Sequence, residues 1–282
     1  MTRFVNNLKT TILLAAIIGL AMAIGSIWGT RGLLAGFAFG GVMNIVAFFF
    51  SDRIALATMG ARPLSPAEAP ELHRMVEELS ARAGIPAPRV YASPQQAPNA
   101  FATGRSPKHA AVCVTTGLLQ LLSPAEVRAV LAHEIAHVKH RDTLISTIAA
   151  AVAGAITMVA YMAWFIPVRP GGGEGGNPLT ALLLILVAPI AATIIQLAIS
   201  RSREYAADHR GGELHGRPLD LAHALLKLDD YARRIPMRFS RTHANMYIVQ
   251  PFSGGGAASL FSTHPPTAKR VAALEAQARG AR

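Results

Sequence analysis

The chain has a single cysteine, Cys113, among its 282 residues, so no intrachain disulfide can form and cysteine usage leaves the redox compartment open. Cys113 lies in the apolar run 110–114, where the ordinary role is that of a small buried hydrophobe rather than a reactive thiol. Charge is scarce too. Asp, Glu, Lys and Arg make up 15% of the residues and hydrophobic residues 51%, whereas ordinary globular chains carry about 25% charged residues. Acidic residues are the rarer sign, 16 against 27 Lys and Arg, for a net charge of +11. Such an excess invites a nucleic-acid reading, but no recognition helix, zinc finger or aromatic RNA-binding motif accompanies it, and nucleic acid is not expected as a partner. No internal repeat of fold-scale length is present.

What the sequence has in abundance is apolar residues, and they are concentrated. Four stretches, 11–30, 32–51, 143–168 and 175–200, contain no Asp, Glu, Lys or Arg. Each reaches the roughly 20 residues with which a helix crosses the hydrocarbon. Arg31 alone separates the first two, and the Gly-rich connector 169–174 separates the second two, so each pair predicts a hairpin. Arg3 and Lys9 before the first run also fit a signal peptide, but a second apolar run follows almost at once, and retention as an anchor is expected. For 143–200, where Ala and Gly dominate 149–155 and Pro189 interrupts the last run, a buried hairpin of a soluble domain is the competing reading. The expected organisation is a transmembrane hairpin over 1–51, a polar region over 52–142, a second hydrophobic hairpin over 143–200 and a second polar region over 201–282. Twenty-five of the 27 basic residues lie in the tail and the two polar regions. By the positive-inside rule, both termini and both polar regions are then cytoplasmic.

The polar regions predict helices and short strands. Ser65-Pro66-Ala67-Glu68 carries a capping-box signature, followed by Leu72, Met75, Val76 and Leu79 at helical spacing and by Gly84 and Pro86 as a stop. Strands are expected at 89–92, 100–103 and 110–115. Ser123-Pro124-Ala125-Glu126 repeats the capping signature and opens a second helix that runs through Val127, Val130 and Leu131 into His133-Glu134-Ile135-Ala136-His137. Residues 201–282 read as mainly helical, with a loop over 236–266 and a final amphipathic helix containing Val271 and Leu274.

Histidines four apart on a helix share one face, which lets both bind a single tetrahedral Zn²⁺. Glu134, displaced about 100° around the axis, is placed to act as a general base toward water without ligating the ion. A hydrolytic site needs a third protein ligand and an open fourth position. Glu204 is the candidate, because a hairpin over 143–200 would return its two ends to one membrane face, one beside His137 and the other beside Glu204. Asp208, one turn further on, either accepts the outer ring N–H of a liganding histidine or pairs with Arg201 or Arg203. Asp142 is equally open between a structural ion pair and a contact that orients a histidine. The mechanism expected is attack of water on the scissile carbonyl, with one zinc ion per chain and no covalent acyl-enzyme.

The order of these motifs resembles the HtpX family of bacterial membrane heat-shock metalloproteases over almost the whole chain: paired N-terminal apolar segments, HEIAHVKHRD at 133–142, a hydrophobic hairpin, SRSREYAAD at 200–208 and FSTHPPTAKR at 261–270. The resemblance implies a multi-pass protein of the bacterial inner membrane. Its cytoplasmic, mainly helical α+β zincin-type domain would degrade damaged or misfolded membrane proteins in quality control and stress response. It implies His133, His137 and Glu204 as zinc ligands and Glu134 as the base. It also matches Asn99, Ala100, Phe101 and Ala102 to a strand that lines the cleft and pairs with substrate backbone. His264, in the His-Pro-Pro motif, would donate to the developing oxyanion, and Arg270 would orient His264 or bind substrate. An intramembrane-cleaving protease fits less well, since charged residues flank the histidines on both sides and no Asp lies in any apolar segment. A non-proteolytic zinc-dependent membrane scaffold or chaperone is the alternative from another class; it would not need Glu134. Natural substrates, cleavage preference and oligomeric state do not follow from the sequence.

Overall fold

The computed structural model describes residues 29–143, 203–234 and 265–280, together with scattered positions between 11 and 26. The segments 144–202 and 235–264, and with them the second hydrophobic hairpin and His264, lie outside the described residues. Contacts divide the chain into two units, Met1–Phe49 with Ile145–Ala198, and Phe50–Leu144 with Ile199–Arg282.

In the first unit the described part is mainly the beginning of helix α1, Gly29–Thr58. Its stretch Gly29–Phe50 is 22 residues with a mean hydropathy of 2.1 and, among the described residues, is the one helix long and apolar enough to cross a membrane. At 1.5 Å per residue it measures about 33 Å, close to the roughly 30 Å of a hydrocarbon core. Leu34, Phe37, Phe39, Val42, Ile45 and Phe49 all face outward. The expected segment 32–51 is therefore helical, but the helix does not stop there.

In the second unit, α1 continues to Thr58 because its sequence becomes amphipathic: Asp52, Ala55 and Leu56 are buried, with Met59 just beyond. Asp52 accepts a 2.7 Å hydrogen bond from the Arg89 guanidinium. A four-stranded sheet follows in the order β1-β2-β4-β3, with β1 Arg62–Pro63, β2 Arg89–Ser93, β3 Ala100–Thr103 and β4 Ala111–Thr115. β2 and β4 are parallel and both outer pairs are antiparallel, which leaves β3 at an edge among the described residues.

Helix α2, Pro70–Ala83, begins four residues later than the capping signature at Ser65 predicts. Ser65 and Glu68 do exchange the capping hydrogen bonds. However, a residue before proline is driven out of the helical region, and Ala69, ahead of Pro70, sits at φ −143°. The signature closes a turn and the helix starts after it. At Ser123 no second proline intervenes, and the full capping box opens α4, Pro124–His140, directly after the short helix α3, Thr116–Leu121. The later helices are α5 (203–215), α6 (Pro218–Arg234) and α7 (Thr267–Ala278).

α4 is the axis of this unit, packing on α2, α6 and β3. Its buried residues run without a break from Ala129 to Ala136, so it lacks the solvent face of an ordinary surface helix. Leu79, Leu118, Leu131, Ile135, Leu221, Leu225 and Leu274 complete the core. Two polar side chains, His133 and Glu134, are thereby carried into the interior, where each must be matched by a partner or a ligand. Cys113 is fully buried in β4, and burial pushes its thiol up to about 12.

Candidate metal centre and active site

The α-helical repeat sets His133 and His137 side by side, with their Nε2 atoms 3.2 Å apart. Glu204 on α5 closes the triangle: its carboxylate oxygens lie 3.7 Å from His133 Nε2 and 3.5 Å from His137 Nε2. Donors held about 2.0–2.1 Å from one tetrahedral ion stand roughly 3.3 Å apart. The three separations fit a zinc-sized ion, and two imidazoles with one carboxylate are the donor set of a hydrolytic site with one position open.

Each histidine presents its other nitrogen to a carboxylate. His133 Nδ1 lies 3.0 Å from Asp208 Oδ1, and His137 Nδ1 lies 3.2 Å from Asp142 Oδ2. An acceptor at Nδ1 fixes the tautomer, leaving the Nε2 lone pair to face the cluster. Burial opposes charge on His137, but the hydrogen bond to Asp142 and the nearby Glu204 and Glu134 carboxylates raise it to about 9.

Arg270 explains how Asp208 stays ionised inside the protein. It reaches from α7 as one of the most deeply buried side chains and grips Asp208 with two hydrogen bonds of 2.7 Å, while its Nη2 lies 3.6 Å from Glu204. Burial would raise the Asp208 carboxyl, but Arg270, with His133, holds it down at about 2. Neither side of the expectation for Asp208 is complete on its own. The carboxylate meets His133 and also makes a salt bridge, to Arg270; Arg201 lies outside the described residues. Arg203 instead donates to the Asp142 carbonyl at 3.4 Å. Arg270 is fully buried with its guanidinium engaged by Asp208 and Glu204, while His264, which it was expected to orient if it did not bind substrate, lies outside the described residues.

Glu134 is buried beside the cluster, and its Oε2 accepts a 2.7 Å hydrogen bond from the Ala102 backbone N–H. Burial pushes its carboxyl above the usual range and Glu204 adds to this, against the pull of His133, His137 and the Ala102 N–H. The strand 99–102 thus comes to the site through its backbone. The Asn99 and Ala100 side chains are buried, and Phe101 turns away into a cluster with Ala55, Leu56, Met59, Ala111 and Cys113.

Gly211 was missed by the sequence reading. A Cβ there would lie 2.9 Å from both the N and the Cα of His133, so only glycine lets α5 pass this close to α4. The signal was available: Glu204, Asp208 and Gly211 fall at i, i+4 and i+7, one face of a helix.

Residues 66–278 match peptidase family M48. The chain belongs to that family. Its M48 relatives include proteins named "Protease HtpX homolog" from a Sulfurihydrogenibium species, 49% identical with 97% of both chains covered, and from Methylibium petroleiphilum, 49% identical with 96% of this chain and 97% of the relative covered. A third, from Pelotomaculum thermopropionicum, is 50% identical over 97% of this chain and 99% of its own length. Among solved structures, the crystal structure of S. mikatae Ste24p superposes with a TM-score of 0.57 at 21% identity, over 96% of this chain. This chain spans 66% of that protein, and the likeness at this identity is one of fold. With its His133–His137–Glu204 cluster, this M48 chain is a metalloprotease.

Proposed function

We propose that this M48 protein is a membrane-bound zinc endopeptidase that hydrolyses misfolded or damaged membrane proteins at the cytoplasmic face of the bacterial inner membrane. The observation that carries the zinc-peptidase reading is the convergence of His133, His137 and Glu204, with Glu134 beside them on the same helix. A zinc ion, when bound, supplies Lewis-acid polarisation of the scissile carbonyl and of the attacking water. His133 and His137 would hold it through Nε2, oriented by Asp208 and Asp142, and Glu204 would hold it through its carboxylate. Glu134 takes a proton from water as the oxygen adds to the carbonyl carbon. It returns that proton to the departing nitrogen as the C–N bond breaks, giving one free carboxylate and one free amine. His264 is the proposed donor to the oxyanion, on the strength of the His-Pro-Pro motif.

The membrane part of the reading is supported by Gly29–Phe50, whose length and outward-facing apolar side chains suit lipid, and by the resemblance to the membrane HtpX family, whose name the relatives carry. The placement of basic residues supports the cytoplasmic orientation. Purified protein in detergent should cleave unfolded casein at internal bonds, lose that activity to a chelator and regain it with zinc. Metal-independent cleavage, or zinc-loaded protein that never cleaves, overturns the proposal.

A further inference from the structure

The Thr115 N–H donates to the Asn99 carbonyl, and β3 runs antiparallel to β4 with Ala100 opposite Val114. In an antiparallel ladder, hydrogen-bonded and non-bonded pairs alternate. Residues 99, 101 and 103 therefore direct their backbone groups at β4, and Ala100 and Ala102 direct theirs outward. No strand lies on that outer side among the described residues. An extended polypeptide added there would need the Ala102 N–H as one of its donors. In the structure, Glu134 Oε2 holds that donor at 2.7 Å.

We propose that substrate backbone and Glu134 compete for the Ala102 N–H, so that the general base is released to water only when an extended chain pairs with β3. The inference rests on the peptidase reading above and deepens it. The substrate class is unfolded polypeptide long enough to add a strand, and the strand that reads it also holds the base back. A folded loop or a dipeptide, which does not reach the edge, leaves Glu134 tied to Ala102.

The chemistry of glutamine provides the test. Glu134→Gln keeps a carbonyl oxygen that can accept from Ala102, whereas Glu134→Ala does not, and both variants lack the base and so leave a bound peptide intact. Full-length, zinc-loaded forms of each are titrated with a fluorescent apolar hexapeptide and followed by anisotropy. The expected result is tighter binding to Glu134→Ala by about fivefold, the worth of one neutral hydrogen bond. A second peptide, with the carbonyl that meets Ala102 reduced to methylene, should bind the two variants equally. Equal affinity for the unmodified peptide overturns the inference, as does a gap that survives in the reduced peptide or absence of binding to both variants. Wild-type cleavage of casein, measured on the same preparations, separates the outcomes: cleavage with equal peptide affinities sinks the competition alone, and absence of cleavage sinks the peptidase reading.

Discussion

Gly211 performs no chemistry, yet it limits how near Glu204 and Asp208 come to His133. Alanine favours a helix over glycine by about 1 kcal/mol, whereas forcing a methyl into packed backbone costs about 1–3 kcal/mol. With both contacts made by backbone atoms at 2.9 Å, the clash should win. Gly211→Ala is expected to lower zinc affinity at least tenfold in a competition assay with a chromogenic chelator; unchanged affinity with a raised melting temperature would contradict this. Arg270 offers a second test. Arg270→Met strands the buried Asp208 carboxylate and should cost about 3–5 kcal/mol in denaturant unfolding. A loss below 1 kcal/mol would mean that Asp208 does not depend on it. The convergence of His133, His137 and Glu204 was legible because two histidines four apart share a helix face and a hairpin over 143–200 would return Glu204 to them. The pairing of Arg270 with Asp208 was not legible because the two are 62 residues apart on separate helices, and sequence spacing holds no record of that contact.

α4 was foreseen with its cap, but not that it would be buried along nearly its whole length. Its mixed composition hides this, since small alanines fill positions where neighbouring helices press close. Two features anchor its first turn: the Ser123 capping box, and a 2.8 Å ion pair from Lys227 on α6 to Glu126. Burial works against the Glu126 carboxylate, yet Lys227 and Ser123 lower it below the ordinary range. A carboxyl lowered in the folded state stabilises above its unfolded value and loses that contribution as pH falls through the folded value. Lys227 is half exposed and screened by solvent, so Glu126→Gln should cost only about 1 kcal/mol at neutral pH. The deficit should shrink as pH falls below the usual glutamate range, and a deficit that grows on acidification would contradict the assignment. At α2 the same capping signature gave the wrong start. Local hydrogen-bonding chemistry was read correctly there, but the veto that Pro70 places on Ala69 was not.

Across the whole molecule, the sequence pattern foresaw an α+β metallopeptidase with apolar helices, and the comparisons place the chain in peptidase family M48. The four-stranded order and the two-residue strand β1 were not foreseen, because so short a run carries no periodicity. The proposed orientation rests on charge: with 25 of 27 basic residues in the tail and the polar regions, the positive-inside rule predicts that both termini are cytoplasmic. In sealed inverted vesicles an added protease should digest tags at both ends, and protection of either tag would contradict the topology.

The central claim is that the ion held by His133, His137 and Glu204 serves peptide hydrolysis through Glu134. Its most direct test is casein cleavage by wild type and Glu134→Gln, each with zinc content measured on the same sample. In the proposed arrangement Glu134 acts as the base and does not ligate the ion. The variant should therefore carry one zinc per chain, as wild type does, and lose at least 99% of the cleavage rate, about 3 kcal/mol of transition-state stabilisation. A zinc-loaded Glu134→Gln that cleaves at the wild-type rate would contradict the account.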